Sequence, residues 1–152
     1  MAKILTTLVY VMQDDEVLMM YRHKSPNLHK WIAPGGKIEL DESPTECAVR
    51  ELEEETGLLA RAPKLRVIAA ETSPRPDWQW LMFIYLARDV EGTVTGCDEG
   101  DLAWVPINEV PNLSIPQADA IFFPYVVGDD QGPISMKFEY DHDLQLVNWR
   151  IE

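Results

Sequence analysis

The chain has 152 residues, 46% hydrophobic and 26% charged, the balance of one soluble globular domain spanning 1–152. A chain of this size buries roughly 68–70% of its unfolded surface, which excludes wholesale disorder. Its 13 basic and 26 acidic side chains leave a formal charge of −13. That excess argues against duplex nucleic acid or an anionic membrane as partner, and it requires a bridging cation if the protein handles a phosphate compound.

No apolar run reaches the ~20 residues of a membrane-spanning helix. The apolar start is interrupted by Gln13, Asp14, Asp15 and Glu16, with no small-residue cleavage site behind it, so it reads as two strands about a turn, not a signal peptide. Cys47 and Cys97 are the two cysteines. They lack a metal-spaced motif and read as the free thiols of a cytoplasmic protein.

In chain order, Thr6 to Gln13 and Glu16 to Arg22 form a hairpin about the acidic pair Asp14-Asp15. A polar stretch then leads to Trp31-Ile32-Ala33 and to Pro34-Gly35-Gly36, a sharp backbone break. Ser43 to Thr56 is the clearest helix. Ser43 stands at the N-cap, Pro44 follows, Glu46 completes a capping box, and Gly57 closes the end. Leu65 to Ala70 and Trp80 to Ala87 are strands joined by a Pro-rich loop. Leu102 to Pro106 is a short strand and Asn108 to Val110 a helical turn. Gln117 to Val127 is a helix that Pro124 kinks or interrupts. Ile134 to Tyr140 and Leu144 to Ile151 form a closing hairpin. The whole is one α/β domain with a mixed sheet and a lone long helix in its middle.

Glu51, Glu54 and Glu55 are spaced to project from one face of the first helix. Three crowded carboxylates repel one another, and the arrangement makes sense around a hard divalent cation such as Mg²⁺ or Mn²⁺. A charge run is often only a solvated face, so the surrounding spacing decides. Gly36, Glu42, Arg50, Glu51, Leu52, Glu54, Glu55, Gly57 and Leu58 fill every specified position of G-x5-E-x7-R-E-U-x-E-E-x-G-U, where U is a bulky aliphatic residue. This is the Nudix box, and the chain resembles a Nudix hydrolase.

The resemblance implies an α/β/α sandwich with the box helix at its centre and Mg²⁺ (or Mn²⁺) as cofactor. It implies water attack on a diphosphate linkage of a nucleotide. By motif position, Glu51, Glu54 and Glu55 are the metal carboxylates, one of them doubling as base. Arg50 and Glu42 form the supporting ion pair. Gly35 offers its carbonyl to the metal, and Gly36 lets the backbone turn tightly. Glu99 reads either as an additional metal carboxylate beyond the box or as an ordinary loop acid beside Asp98 and Asp101.

Outside the box the chain looks most like the branch that hydrolyses oxidised purine nucleoside triphosphates, such as 8-oxo-dGTP, to monophosphate and pyrophosphate. The likeness rests on Thr6-Thr7-Leu8-Val9, Trp31 ahead of Pro34-Gly35-Gly36-Lys37, Asp98-Glu99 before Trp104, Phe123-Pro124 and Lys137-Phe138. Asp119 matches a carboxylate that reads the purine edge, while Thr7, Arg22 and Lys37 are the further substrate-binding candidates. The chain departs from that branch at Ile32, where Asn is expected. It departs again at Ala118, where a second acid is expected, and at Ile115 or Pro116 in place of an aromatic.

Trp78, Trp80, Phe83 and Tyr85 divide between core packing and stacking on a base, as do Phe122 and Phe123. Arg22, His23 and Lys24 either meet phosphates or end a solvated hairpin. His29 and His142 take no role. Hydrolysis of ADP-ribose or a dinucleoside polyphosphate is the second enzymatic reading, and a non-catalytic nucleotide sensor is the third. An isoprenoid-diphosphate isomerase lacks support in the pattern. The partner is a small nucleotide, with no nucleic acid or membrane, and the protein acts as a monomer or homodimer.

Overall fold

A computed structural model describes residues 2–129 and 132–152. Strand β1 (Ile4–Gln13) turns at Asp14, which takes a positive φ of 53°, into β2 (Glu16–Arg22), as the alternation and the acidic turn predict. β3 (Trp31–Ile32) and β4 (Gly35–Lys37) precede helix α1 (Pro44–Thr56). Then come β5 (Leu59–Ala60), β6 (Lys64–Thr72), β7 (Trp80–Ala87), β8 (Val90–Glu91) and β9 (Gly100–Pro106). A 3₁₀ segment (Ile107–Asn112) leads to α2 (Gln117–Val127), and β10 (Ile134–Tyr140) and β11 (Leu146–Ile151) close the chain.

The main sheet runs β11-β10-β6-β7-β1-β2-β3, with β4 on β1 and β9 on β2. It is mixed: β1–β7 and β6–β10 are parallel, and the other pairs are antiparallel. Strand β1 divides its second edge, pairing Thr6–Leu8 with β4 and Met12–Gln13 with β2. Residues that alternate along one strand enter opposite layers, as pleating requires. Leu8, Tyr10 and Met12 join Ile84, Leu86, Phe122, Phe123 and Val126 under α2. Val9 and Val11 join Ala48, Leu52, Tyr85 and Ala87 under α1. The chain is therefore an α/β/α sandwich, with the box helix against the centre of one face. Among the described residues no helix is long and apolar enough to cross a membrane.

Two expectations change. Gly35 and Gly36 do not break the backbone or turn it; they extend as β4 along β1. What demands glycine there is space. A Cβ on Gly35 would collide with the Thr7 carbonyl, and one on Gly36 would come within 2.5 Å of the Glu51 carboxyl carbon. Pro124 does not interrupt α2, which continues to Val127. It lies in the final turn, and the Gly128 amide still donates to its carbonyl at 3.0 Å.

Candidate active site

Helix α1 begins and ends where its local chemistry dictates. The Glu46 amide donates to Ser43 Oγ at 3.0 Å, and the Ser43 amide donates to Glu46 Oε1 at 2.9 Å. Two orphan donors of the first turn are thereby satisfied. Gly57 adopts φ 80° and donates to the Glu53 carbonyl at 2.8 Å. Ala48 and Leu52 bury against the sheet, which rotates Glu51 and Glu55 toward a cavity beside β4. Glu54, one step further round, is 58% exposed. Of the three helix carboxylates, Glu51 and Glu55 line the cavity and Glu54 stands on its outer flank.

Arg50 ties this flank together. Its Nε and Nη2 fork onto the two oxygens of Glu42, and Nη1 donates to Glu51 at 2.8 Å and Glu54 at 3.2 Å. A bidentate charged fork fixes orientation as well as adding energy. The Arg50 hydrogen bond, helped by the Glu39 amide, holds the Glu42 carboxyl down at about 2, while the same pairing raises Arg50. Nη2 also reaches the Lys37 carbonyl at 3.3 Å, so one guanidinium links the loop, β4 and α1.

Glu55 is 5% exposed. Burial, and a hydrogen bond shared with the Glu99 carboxyl, push it up to about 9 against the opposing pull of the Gly35 amide, which donates at 3.1 Å. Burial also raises Glu51. Glu99 reaches this point because its carbonyl accepts from the His23 amide at 2.8 Å, anchoring the loop ahead of β9 to the end of β2. Arg22 Nη1 lies 3.9 Å from its carboxylate. Of the two readings of Glu99, the structure thus places it beside Glu55. Among the described residues no group of three or more acids, cysteines or imidazoles is placed to hold a metal ion by itself. Carboxyl oxygens gathered at one point, with Glu55 buried and Glu51 half-buried, nonetheless suit Mg²⁺, which takes few protein oxygens and fills its shell with water and phosphate.

The cavity, about 820 Å³, is also lined by Thr7 and Lys37 and includes a second pair of buried acids, Glu71 and Asp119, that act on each other. Thr7 is fully buried, and its hydroxyl pairs with the Cys47 thiol at 3.3 Å. Arg22 borders the cavity but commits Nε and Nη2 to the carbonyls of Lys24, Ser25 and Pro26. His23 turns outward onto Asp101. Asp119 lines the far end and is 5% exposed. Burial and the negative charge of Glu71 lift its carboxyl well above the usual range, with Lys30 opposing. Ile32 and Pro116 also line the cavity, whereas Ala118 faces the core.

Sequence reasoning missed Glu71, Tyr140 and Lys30 at this end. The signal for Glu71 was present: Val67, Ala69 and Glu71 share one face of β6, and the first two are fully buried. The aromatic residues divide by the element and face that carry them. Trp78 and Trp80 line the cavity, Phe83 and Tyr85 pack beneath α1, and Phe122 and Phe123 pack beneath α2.

A NUDIX domain model matches residues 3–126. An uncharacterized Nudix hydrolase, YvcI, from Bacillus subtilis (strain 168) is 30% identical over 91% of this chain and 88% of its own length. The oxidized purine nucleoside triphosphate hydrolase of Mus musculus is 30% identical over 93% of this chain and 90% of its own. Among solved structures, the mutator MutT protein of Bacillus halodurans superposes with a TM-score of 0.87 at 30% identity, covering 98% of this chain and 97% of that one. At that extent of agreement, the chain belongs to the Nudix hydrolases, enzymes that act on phosphorus-containing anhydrides.

Proposed function

We propose that this protein is a Mg²⁺-dependent pyrophosphohydrolase that cleaves a purine nucleoside triphosphate, oxidised forms such as 8-oxo-dGTP included, to the monophosphate and pyrophosphate. The observation that carries this reading is the joining, in one cavity, of a carboxylate end (Glu51, Glu55, Glu99) to a buried end lined by Asp119, Glu71 and tryptophan. The first suits a metal–phosphate group, the second a base. The relatives named above support the class of reaction.

Glu51, Glu55 and Glu99 would hold Mg²⁺ (or Mn²⁺), with Glu54 reaching in from the rim and the Gly35 backbone beside them. When bound, the cation neutralises phosphate charge and acidifies water. Arg50, pinned by Glu42, orients Glu51 and Glu54. Lys37, exposed on β4 along the path between the two ends, meets the phosphate chain. Arg22 holds the loop that follows β2 and steadies Glu99, while Thr7 supports β4 from below through Cys47.

A panel of dGTP, 8-oxo-dGTP, dATP and ADP-ribose with Mg²⁺, with products resolved, tests the proposal. Monophosphate plus pyrophosphate from a purine triphosphate is the expected result. A clear preference for ADP-ribose, or diphosphate plus phosphate as products, would overturn it.

A further inference from the structure

The far end of the cavity contains an acid that the phosphate chemistry does not use. Glu71 occupies a core-facing position on β6 and is 8% exposed. It faces Asp119 of α2 across the same space. The Tyr140 hydroxyl, from β10, donates to Glu71 Oε1 and leaves the second oxygen to the cavity. No hydrogen bond to the Asp119 side chain is found among the described residues. The other charged or titratable groups at this point are Lys30, Tyr10 and Tyr140. Two buried acids served by one phenol and one distant ammonium are costly unless further donors arrive.

A ligand with adjacent N–H groups supplies those donors. Trp78, packed edge-on to Tyr140 with ring centroids 4.6 Å apart, adds an aromatic wall for a flat ring.

We propose that Glu71 is a specificity-determining residue that accepts a hydrogen bond from the exocyclic amino group of a guanine-type base, with Asp119 meeting the neighbouring N–H of the same edge. The inference rests on the reading that a purine nucleoside triphosphate occupies the cavity. It gives this chain its second base-reading acid from β6, in place of the one that the helix lacks at Ala118.

The test compares dGTP with dITP, which differs only by loss of the 2-amino group. In the wild type, kcat/KM should favour dGTP by about ten- to a hundredfold, the usual consequence of leaving a buried polar group unpaired. In Glu71→Gln, and in the shape-preserving pair Glu71→Met with Tyr140→Phe, that ratio should fall to within about threefold of unity through loss on dGTP alone. Product inhibition by inorganic pyrophosphate, which probes the phosphate end, should be unchanged. A wild-type ratio near one, or equal losses on both nucleotides in both variants, would overturn the role of Glu71 while leaving triphosphate hydrolysis standing. Absence of any triphosphate hydrolysis by the wild type would overturn the underlying reading as well.

Discussion

Arg50 is the residue on which the box depends most visibly, because several partners converge on one guanidinium. It bridges Glu42, Glu51 and Glu54, approaches Glu39 at 3.7 Å and reaches the Lys37 carbonyl. Removing it leaves four carboxylates without their shared cation, a larger insult than loss of an exposed ion pair worth about 0–1 kcal/mol. Arg50→Ala is therefore expected to lose activity and to lower the melting temperature by about 3 °C or more. A thermal melt superimposable on wild type would contradict that role. At the far end, Asp119→Ala should reduce kcat/KM on purine triphosphates by about ten- to a hundredfold. Mg²⁺ affinity should stay near wild type, because Asp119 lies at the opposite end of the cavity from Glu51 and Glu55. Titration calorimetry with Mg²⁺ alongside steady-state kinetics separates the two effects.

At the scale of the element, α1 holds an acid under strain. Glu55 ionises near 9 in the folded protein against an ordinary 4.5. Between those values the unfolded chain releases a proton that the folded chain keeps, so stability falls as pH rises. Glu71 and Asp119, both raised by burial, act with the same sign. The metal-free protein should thus melt several degrees lower at pH 9 than at pH 5, and Glu55→Gln should flatten that slope and raise the melting temperature at pH 8. A steeper slope in Glu55→Gln would contradict the assignment. Helix α1 was legible in the sequence because its caps are local: Ser43, Glu46 and Gly57 act within a few residues of themselves. The strand β4 was not. Gly35-Gly36-Lys37 has no side-chain alternation to read, and it becomes a strand only by pairing with Thr6–Leu8 of β1. Of the two outcomes open to Pro124, interruption does not occur, because the residue falls in the last turn of α2.

At the scale of the molecule, the sheet is the device that brings distant acids together. The box was readable because nine spaced residues specify it. The depth of each carboxylate was not. Periodicity puts Glu51, Glu54 and Glu55 on one side of α1, but only packing of Ala48 and Leu52 decides that Glu55 is buried and Glu54 exposed. Glu99 and Glu71 come from other elements, at the mouth of β9 and on β6, so no local pattern links them to the helix. On the proposed reading, a protein of charge −13 that gathers acids at both ends of one cavity would need a divalent cation to admit a polyanion.

The most direct measurement is Mg²⁺-saturated turnover of a purine nucleoside triphosphate by the wild type, Glu51→Gln and Glu55→Gln. If these carboxylates form the catalytic end of the cavity, kcat in each variant falls by about a hundredfold or more while the fold is retained. Wild-type turnover by both variants at saturating Mg²⁺ would contradict it.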